Sequence, residues 1–251
     1  MRSNSMIKMV LCLFVMVAGA VSVWGQTQPQ TPLPSLDEIV AKYEKAVGGK
    51  AAFEKLTSRV SKGSFVLGGM GNPGSTEIYQ KAPNKMVNIT DIPGFGVVSS
   101  GTDGKVAWND TPQYGTQELT GDAGAAMRRG GDFLEQVRLK ENYPKMVLKG
   151  KESFEGHDVY VVEATPAEGA PELLSFDADS GLLVRSRTQM NGPQGTIDID
   201  TKLSDYREVD GVKLPFTIDQ ERSDFSFTIK LTEVKHNVPI DDAKFEKPKS
   251  Q

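Results

Sequence analysis

Cysteine is almost missing from this sequence. Cys12 is the only one among 251 residues, and it sits inside an apolar run near the N-terminus. The rest of the chain can therefore hold no disulfide framework, thiol nucleophile or cysteine-type zinc site. Histidine is nearly as scarce, with only His157 and His236. Neither belongs to an H-E-x-x-H pair, and both read as surface residues. No G-x-S-x-G elbow occurs, so an α/β-hydrolase nucleophile is unsupported. A basic cluster is also missing. With 33 acidic against 29 basic residues, the chain is mildly acidic, which argues against nucleic acid and anionic membrane surfaces as partners. The apolar run 9–21 is shorter than the roughly 20 residues that a membrane-spanning helix needs.

What is present begins with that run. Arg2 and Lys8 precede it, and Val23 and Gly25 follow at small-residue positions. This is the pattern of a secretory signal peptide over residues 1–25, cleaved on export to the periplasm. "QTQPQTPLP" (26–34) reads as a polar tether broken by proline. Residues 35–251 are then expected to form one domain held by a hydrophobic core, and to act as a monomer. In "SLDEIVAKYEKAVGG", Ser35 and Glu38 form a capping box, Ile39, Val40, Tyr43 and Val47 share one side, and Gly48-Gly49 ends the helix. "KAAFEKLT" (50–57) reads as a second, shorter helix.

From residue 58 the apolar period becomes two. Pro83-Asn84 suits a type I or II turn, and Asp103-Gly104 a primed hairpin turn in which both central residues take positive φ. Glu155-Gly156, Asp179-Ser180-Gly181, Gly192-Pro193 and Asp210-Gly211 continue the series. Such spacing predicts a mainly β (α+β) chain, arranged as an antiparallel meander, a barrel or a sandwich. The last third shows its faces. Ile197 and Ile199 oppose Asp198 and Asp200. Val212, Leu214, Phe216 and Ile218 alternate with polar residues, as do Phe225, Phe227, Ile229 and Leu231. A sheet with one apolar face needs a cover. The N-terminal helices are available, as is the insertion at 120–142. Its first half carries Gly121, Gly124, Gly130 and Gly131 with Met127, and its second half carries Phe133, Leu134 and Val137. Each glycine weakens a helix by roughly 1 kcal/mol relative to alanine. The insertion reads either as a mobile lid or as a fixed surface connection.

Other motifs point away from chemistry. "GMGNPG" (69–74) fits the literal dinucleotide pattern, but a strand follows where the mechanism needs a helix N-terminus. "DADSG" (177–181) resembles part of a calcium loop but lacks its distal glutamate, and a hairpin turn explains it better. Asp198 and Asp200 lie on the wet face and read as solubility residues. The expectation is a protein with no catalytic residues, no metal site and no cofactor.

"YQKAPNKMVNI" followed by "SSGTDGKVAW" resembles the periplasmic lipoprotein-carrier family, the LolA-like proteins and their lipoprotein-sorting relatives. Lys81, Pro83, Asn84, Asp103, Gly104, Lys105 and Trp108 carry the likeness. Asp241, Ala243, Lys244 and Phe245 in "IDDAKFEKP" add to it. The resemblance implies an unclosed antiparallel half-barrel with an N-terminal helix, a helical lid and an apolar cavity for acyl chains. The cavity residues would be Ile197, Ile199, Val212, Leu214, Phe216, Ile218, Phe225, Phe227, Ile229 and Leu231. The lid would contribute Met127, Phe133, Leu134 and Val137. The implied partner is a hydrophobic acyl-chain ligand, either lipid or lipoprotein. An alternative is a non-catalytic envelope module with a filled core and a protein partner. The family places a lid-latching arginine immediately before the proline, and here that residue is Ala82. Arg59, Arg128 and Arg129 are candidates for that role.

Overall fold

The computed structural model describes residues 32–69, 72–192, 195–223 and 225–249. The expected signal peptide, most of the tether, Met70 and Gly71 of the glycine-rich loop, and Pro193 lie outside the described residues. The chain begins with α1 (Leu36–Ala46) and α2 (Lys50–Phe53). Ser35 caps α1 through the reciprocal box with Glu38, and α1 buries Ile39, Val40 and Tyr43. The second helix is a single turn, shorter than "KAAFEKLT".

Six strands follow: β1 (Ser58–Leu67), β2 (Gly74–Lys81), β3 (Lys85–Ile92), β4 (Gly96–Thr102), β5 (Ala107–Thr111) and β6 (Gly115–Leu119). The insertion comes next, with α3 (Gly121–Gly130), a 3-10 turn at Glu135–Val137, and α4 (Leu139–Asn142). Seven strands return: β7 (Lys145–Phe154), β8 (His157–Thr165), β9 (Glu172–Asp177), β10 (Leu183–Gly192), β11 (Gly195–Val209), β12 (Val212–Arg222) and β13 (Ser226–His236). A 3-10 turn at Asp242–Phe245 ends the fold.

These strands form one antiparallel, unclosed sheet in the order β6-β5-β4-β3-β2-β1-β13-β12-β11-β10-β9-β8-β7. The two edges, β6 and β7, are consecutive in sequence and are joined by residues 120–144. The insertion therefore runs from one lip of the half-barrel to the other. The non-local pair β1–β13 joins the two meanders, and its register shifts between Lys62 and Gly63. A side chain at Gly63 would collide with the Lys230 carbonyl, so the close approach there requires glycine.

Two local expectations are corrected. The regular helix of the insertion lies in its glycine-rich half, because a Cβ at Gly124 would meet the Leu119 carbonyl and one at Gly131 would lie 2.7 Å from Thr102 Cγ2. Close packing, rather than propensity, selects those residues. Only Gly104 of the Asp103-Gly104 pair has positive φ. The Asp103 carboxylate instead accepts from the Lys105 and Val106 amides, a side-chain turn in place of a primed one. Primed backbone values occur at Glu155-Gly156 and Asp210-Gly211. The Ala82–Pro83 peptide is cis.

Candidate functional site

The inner face of the half-barrel has two apolar regions. One lies beneath the helices. Val212 and Leu214 pack there with Val47 and Phe53, with Val162, Leu174 and Phe176, and with the insertion's Phe133, Val137, Leu139 and Tyr143. The other joins Phe65, Phe216, Ile229 and Leu231, flanked by the partly buried Ile218 and Phe227. Phe65 stacks on Phe227 at 5.2 Å between ring centroids, and Phe225 extends the stack while 41% exposed. The ten residues expected to form one cavity are thus divided. Val212 and Leu214 belong to the filled region, while Phe216 to Leu231 form the second. Ile197 and Ile199 are half-exposed, near the start of β11.

The insertion is docked. Phe133 and Val137 are buried, Leu134 packs beside them, and Met127 is half-buried. The Phe133 amide donates to the Pro83 carbonyl at 2.9 Å, and Gln80 Nε2 reaches the Gly130 carbonyl at 3.5 Å. Arg128 pairs with Glu168 at 3.0 Å, and Arg129 pairs with Glu172. Asp122 accepts from the Asn191 amide and side chain at 3.2 and 3.1 Å. Ala82 packs into the helix-filled region and makes no polar lid contact through its side chain. Arg59 does touch the lid. Its guanidinium lies 5.7 Å from the Phe133 ring centroid and donates to Gln80 Oε1, with Nε at 2.8 Å.

A polar group not evident in the sequence surrounds Arg59. Burial pulls its guanidinium down to about 10, with Glu135 opposing, so it stays charged at neutral pH. Burial also pushes the Glu135 carboxyl up to about 8; Glu172 and Asp132 add to this, while Arg129 and Arg59 oppose it. His236 overturns its surface reading. Its side chain is 1% exposed, Nδ1 pairs with Asp210 Oδ2 at 2.9 Å, and Nε2 is buried without a partner among the described residues. Burial lowers its pKa, and Arg59 adds to this against Asp210. Only the antiparallel partnership of Arg59 with His236 brings these residues together. His157 is exposed, as expected.

The family-motif residues have a structural role on the outer face. Lys81 donates to the Ile240 carbonyl at 2.9 Å and to Asp242 at 2.8 Å. Trp108 is 2% exposed, packs with Val87 and Phe245, and donates from Nε1 to the Phe245 carbonyl at 3.4 Å. Lys244 lies over the Tyr79 ring. Gly104 lies so close to the Asn84 side chain that a Cβ would collide with it, and Lys105 lies in the same turn. The two recognised segments therefore clamp the C-terminal turn to the sheet.

A cavity of about 990 Å³ lies beside β10 and β11 and has a mixed polar and apolar lining. Asp122, Arg187, Gln189, Asp198, Asp200 and Glu221 line it, with Ile199 and Leu173 among its aliphatic residues. Asp198 accepts from Gln189 at 2.6 Å and Asp200 pairs with Arg185. Asp198 is exposed, in line with its wet-face reading, and Asp200 is half-buried. Asp177 accepts from the Ser180 amide and hydroxyl at 2.6 Å, and "DADSG" is a hairpin turn.

No family model and no curated protein sequence matches this chain. Solved structures do match it. A DUF1329 family protein from Desulfovibrio piger superposes with a TM-score of 0.57 at 16% identity, covering 85% of this chain and 98% of that one. A LolA superfamily protein from Nitrosomonas europaea gives 0.54 at 14% identity, covering 86% and 99%. The fold is LolA-like. A putative outer membrane lipoprotein-sorting protein domain from Vibrio parahaemolyticus has the same LolA-like architecture, with a TM-score of 0.56 at 13% identity and coverage of 84% and 95%.

Proposed function

We propose that this chain is a non-catalytic binding protein of the periplasm that carries an acyl chain, from a lipid or a lipoprotein, against the inner face of its half-barrel. One observation carries the reading. The 120–144 segment joins the two lips of the sheet above an inner face whose second apolar region ends in the exposed Phe225. Each CH₂ buried there contributes about 0.8 kcal/mol, so binding needs no reactive group. In the docked state, Phe133 and Val137 occupy apolar space that a ligand could take once the insertion swings out. The lipoprotein-sorting name of the Vibrio parahaemolyticus domain supports lipoprotein as one cargo.

Native mass spectrometry of the exported protein, with titration of a fluorescent fatty-acid probe, tests this. We expect copurified lipid and saturable probe binding; a protein with neither is not an acyl-chain carrier. The helix-filled region and the polar groups lining the large cavity favour a second reading, an envelope module that binds another protein. Crosslinking the insertion to the sheet separates the two, because it blocks a carrier and leaves such a module unaffected.

A further inference from the structure

Two neighbouring strands change character along their inner faces in the same direction. In β1 the inward residues run Leu67, Phe65, Gly63, Ser61, Arg59. In β13 they run from Phe227 through Leu231 to Val234 and His236. One end is aromatic and aliphatic, and the other carries a cation and an imidazole. From Phe65 to Arg59 is about 20 Å at the usual strand rise, which is on the scale of a long acyl chain.

The polar end is incompletely satisfied. Arg59 is half-buried, its hydrogen bonds go to the neutral Gln80 amide, and no carboxylate among the described residues forms an ion pair with it. His236 Nε2 is buried with no hydrogen-bond partner among the described residues. A charge drawn partly out of water without a counter-charge is unfavourable. We infer that Arg59 and His236 form the head-group anchor of the half-barrel, selecting single-chain amphiphiles that carry a carboxylate or phosphate and laying their tails toward Phe65 and Leu231. The Glu135 carboxyl, held mostly protonated at neutral pH, leaves the Arg59 charge available. Phe133 covers Arg59, so access requires the insertion to move. The inference rests on the acyl-chain reading and adds the chemistry of the head group.

The test measures affinities of the delipidated full chain for dodecanoate, dodecyl phosphate and dodecanol. Both anions should bind at least about tenfold more tightly than the alcohol, the size of one charge-assisted contact. The tighter anion identifies the head group as carboxylate or phosphate. Arg59→Gln should remove the advantage of the anions over dodecanol, and Arg59→Lys should restore part of it. If Arg59→Gln fails to fold, His236→Gln takes its place and should also narrow the gap. Equal binding of all three ligands overturns the anchor and leaves the carrier reading intact. Binding of none overturns both.

Discussion

The two apolar regions of the inner face are built from the same alternating strands, but they have different neighbours. Under the helices, Val47, Phe53, Val162 and Val212 are essentially inaccessible. In the second region, Phe65, Phe216, Ile229 and Leu231 keep a little exposure, and the stack runs out into solvent at Phe225. Pleat periodicity decides which side chains face inward. What they meet there is decided by α1, α2 and the insertion, which fill one region and leave the other to the sheet's own strands. The first region therefore holds the fold together, and the second is where we place the ligand.

The largest expected effect comes from emptying the filled region. Phe176 is buried and meets Tyr43 edge-on at 5.2 Å between centroids. Phe176→Ala should lower the unfolding free energy by about 3–5 kcal/mol in urea titrations. A similar loss from Phe227→Ala would break the distinction, since Phe227 is only partly buried.

Glu135 gives the next largest effect and lies in the insertion that covers the inner face. Its folded pKa, about 8, is above the ordinary 4.5. The folded state therefore holds the proton more tightly, and stability is greatest below pH 4.5. It falls as pH rises from 4.5 to 8, then levels off. Glu135→Gln should match the wild type in acid and exceed its stability above pH 8. Taking the difference between the two proteins separates Glu135 from His236, whose charged form burial disfavours. A pH-independent difference would show that Glu135 does not set the alkaline limit.

Much of this architecture was legible because it is local. The Ser35–Glu38 box, the glycine stop after α1 and the alternation in β12 and β13 each depend on a few adjacent residues. The site was less legible because it is not local. Arg59 and His236 become neighbours only through the β1–β13 pair, and Asp210, which holds His236, comes from the β11–β12 turn. Nothing in the surrounding sequence signals that this histidine is buried. The motif that identified the fold proved to be a clamp, because Trp108 and Lys81 meet the C-terminal turn on the outer face. The split of the apolar face was also hidden, since strand alternation does not reveal which helix covers which residue.

The smallest expected change in stability is at the rim, and it tests the comparison from the other side. Phe225 is exposed, stacks on Phe227 at 6.1 Å and lies beneath the Arg222 guanidinium at 4.6 Å. Its ring keeps 41% of its surface in water, so Phe225→Ser should shift the unfolding free energy by about 1 kcal/mol or less, far below Phe176→Ala. The same ring lies where an acyl tail would emerge from the second region. A bound tail would cover it and gain roughly 25 cal/mol per Å² of apolar area removed from water. The substitution should therefore weaken a fluorescent acyl probe several-fold while the urea midpoint stays in place. Phe176→Ala should show the opposite balance, with a large loss of stability and probe affinity retained in the molecules that remain folded. If Phe225→Ser left probe affinity unchanged, the tail would have to lie elsewhere, and the two regions would no longer divide stability from binding.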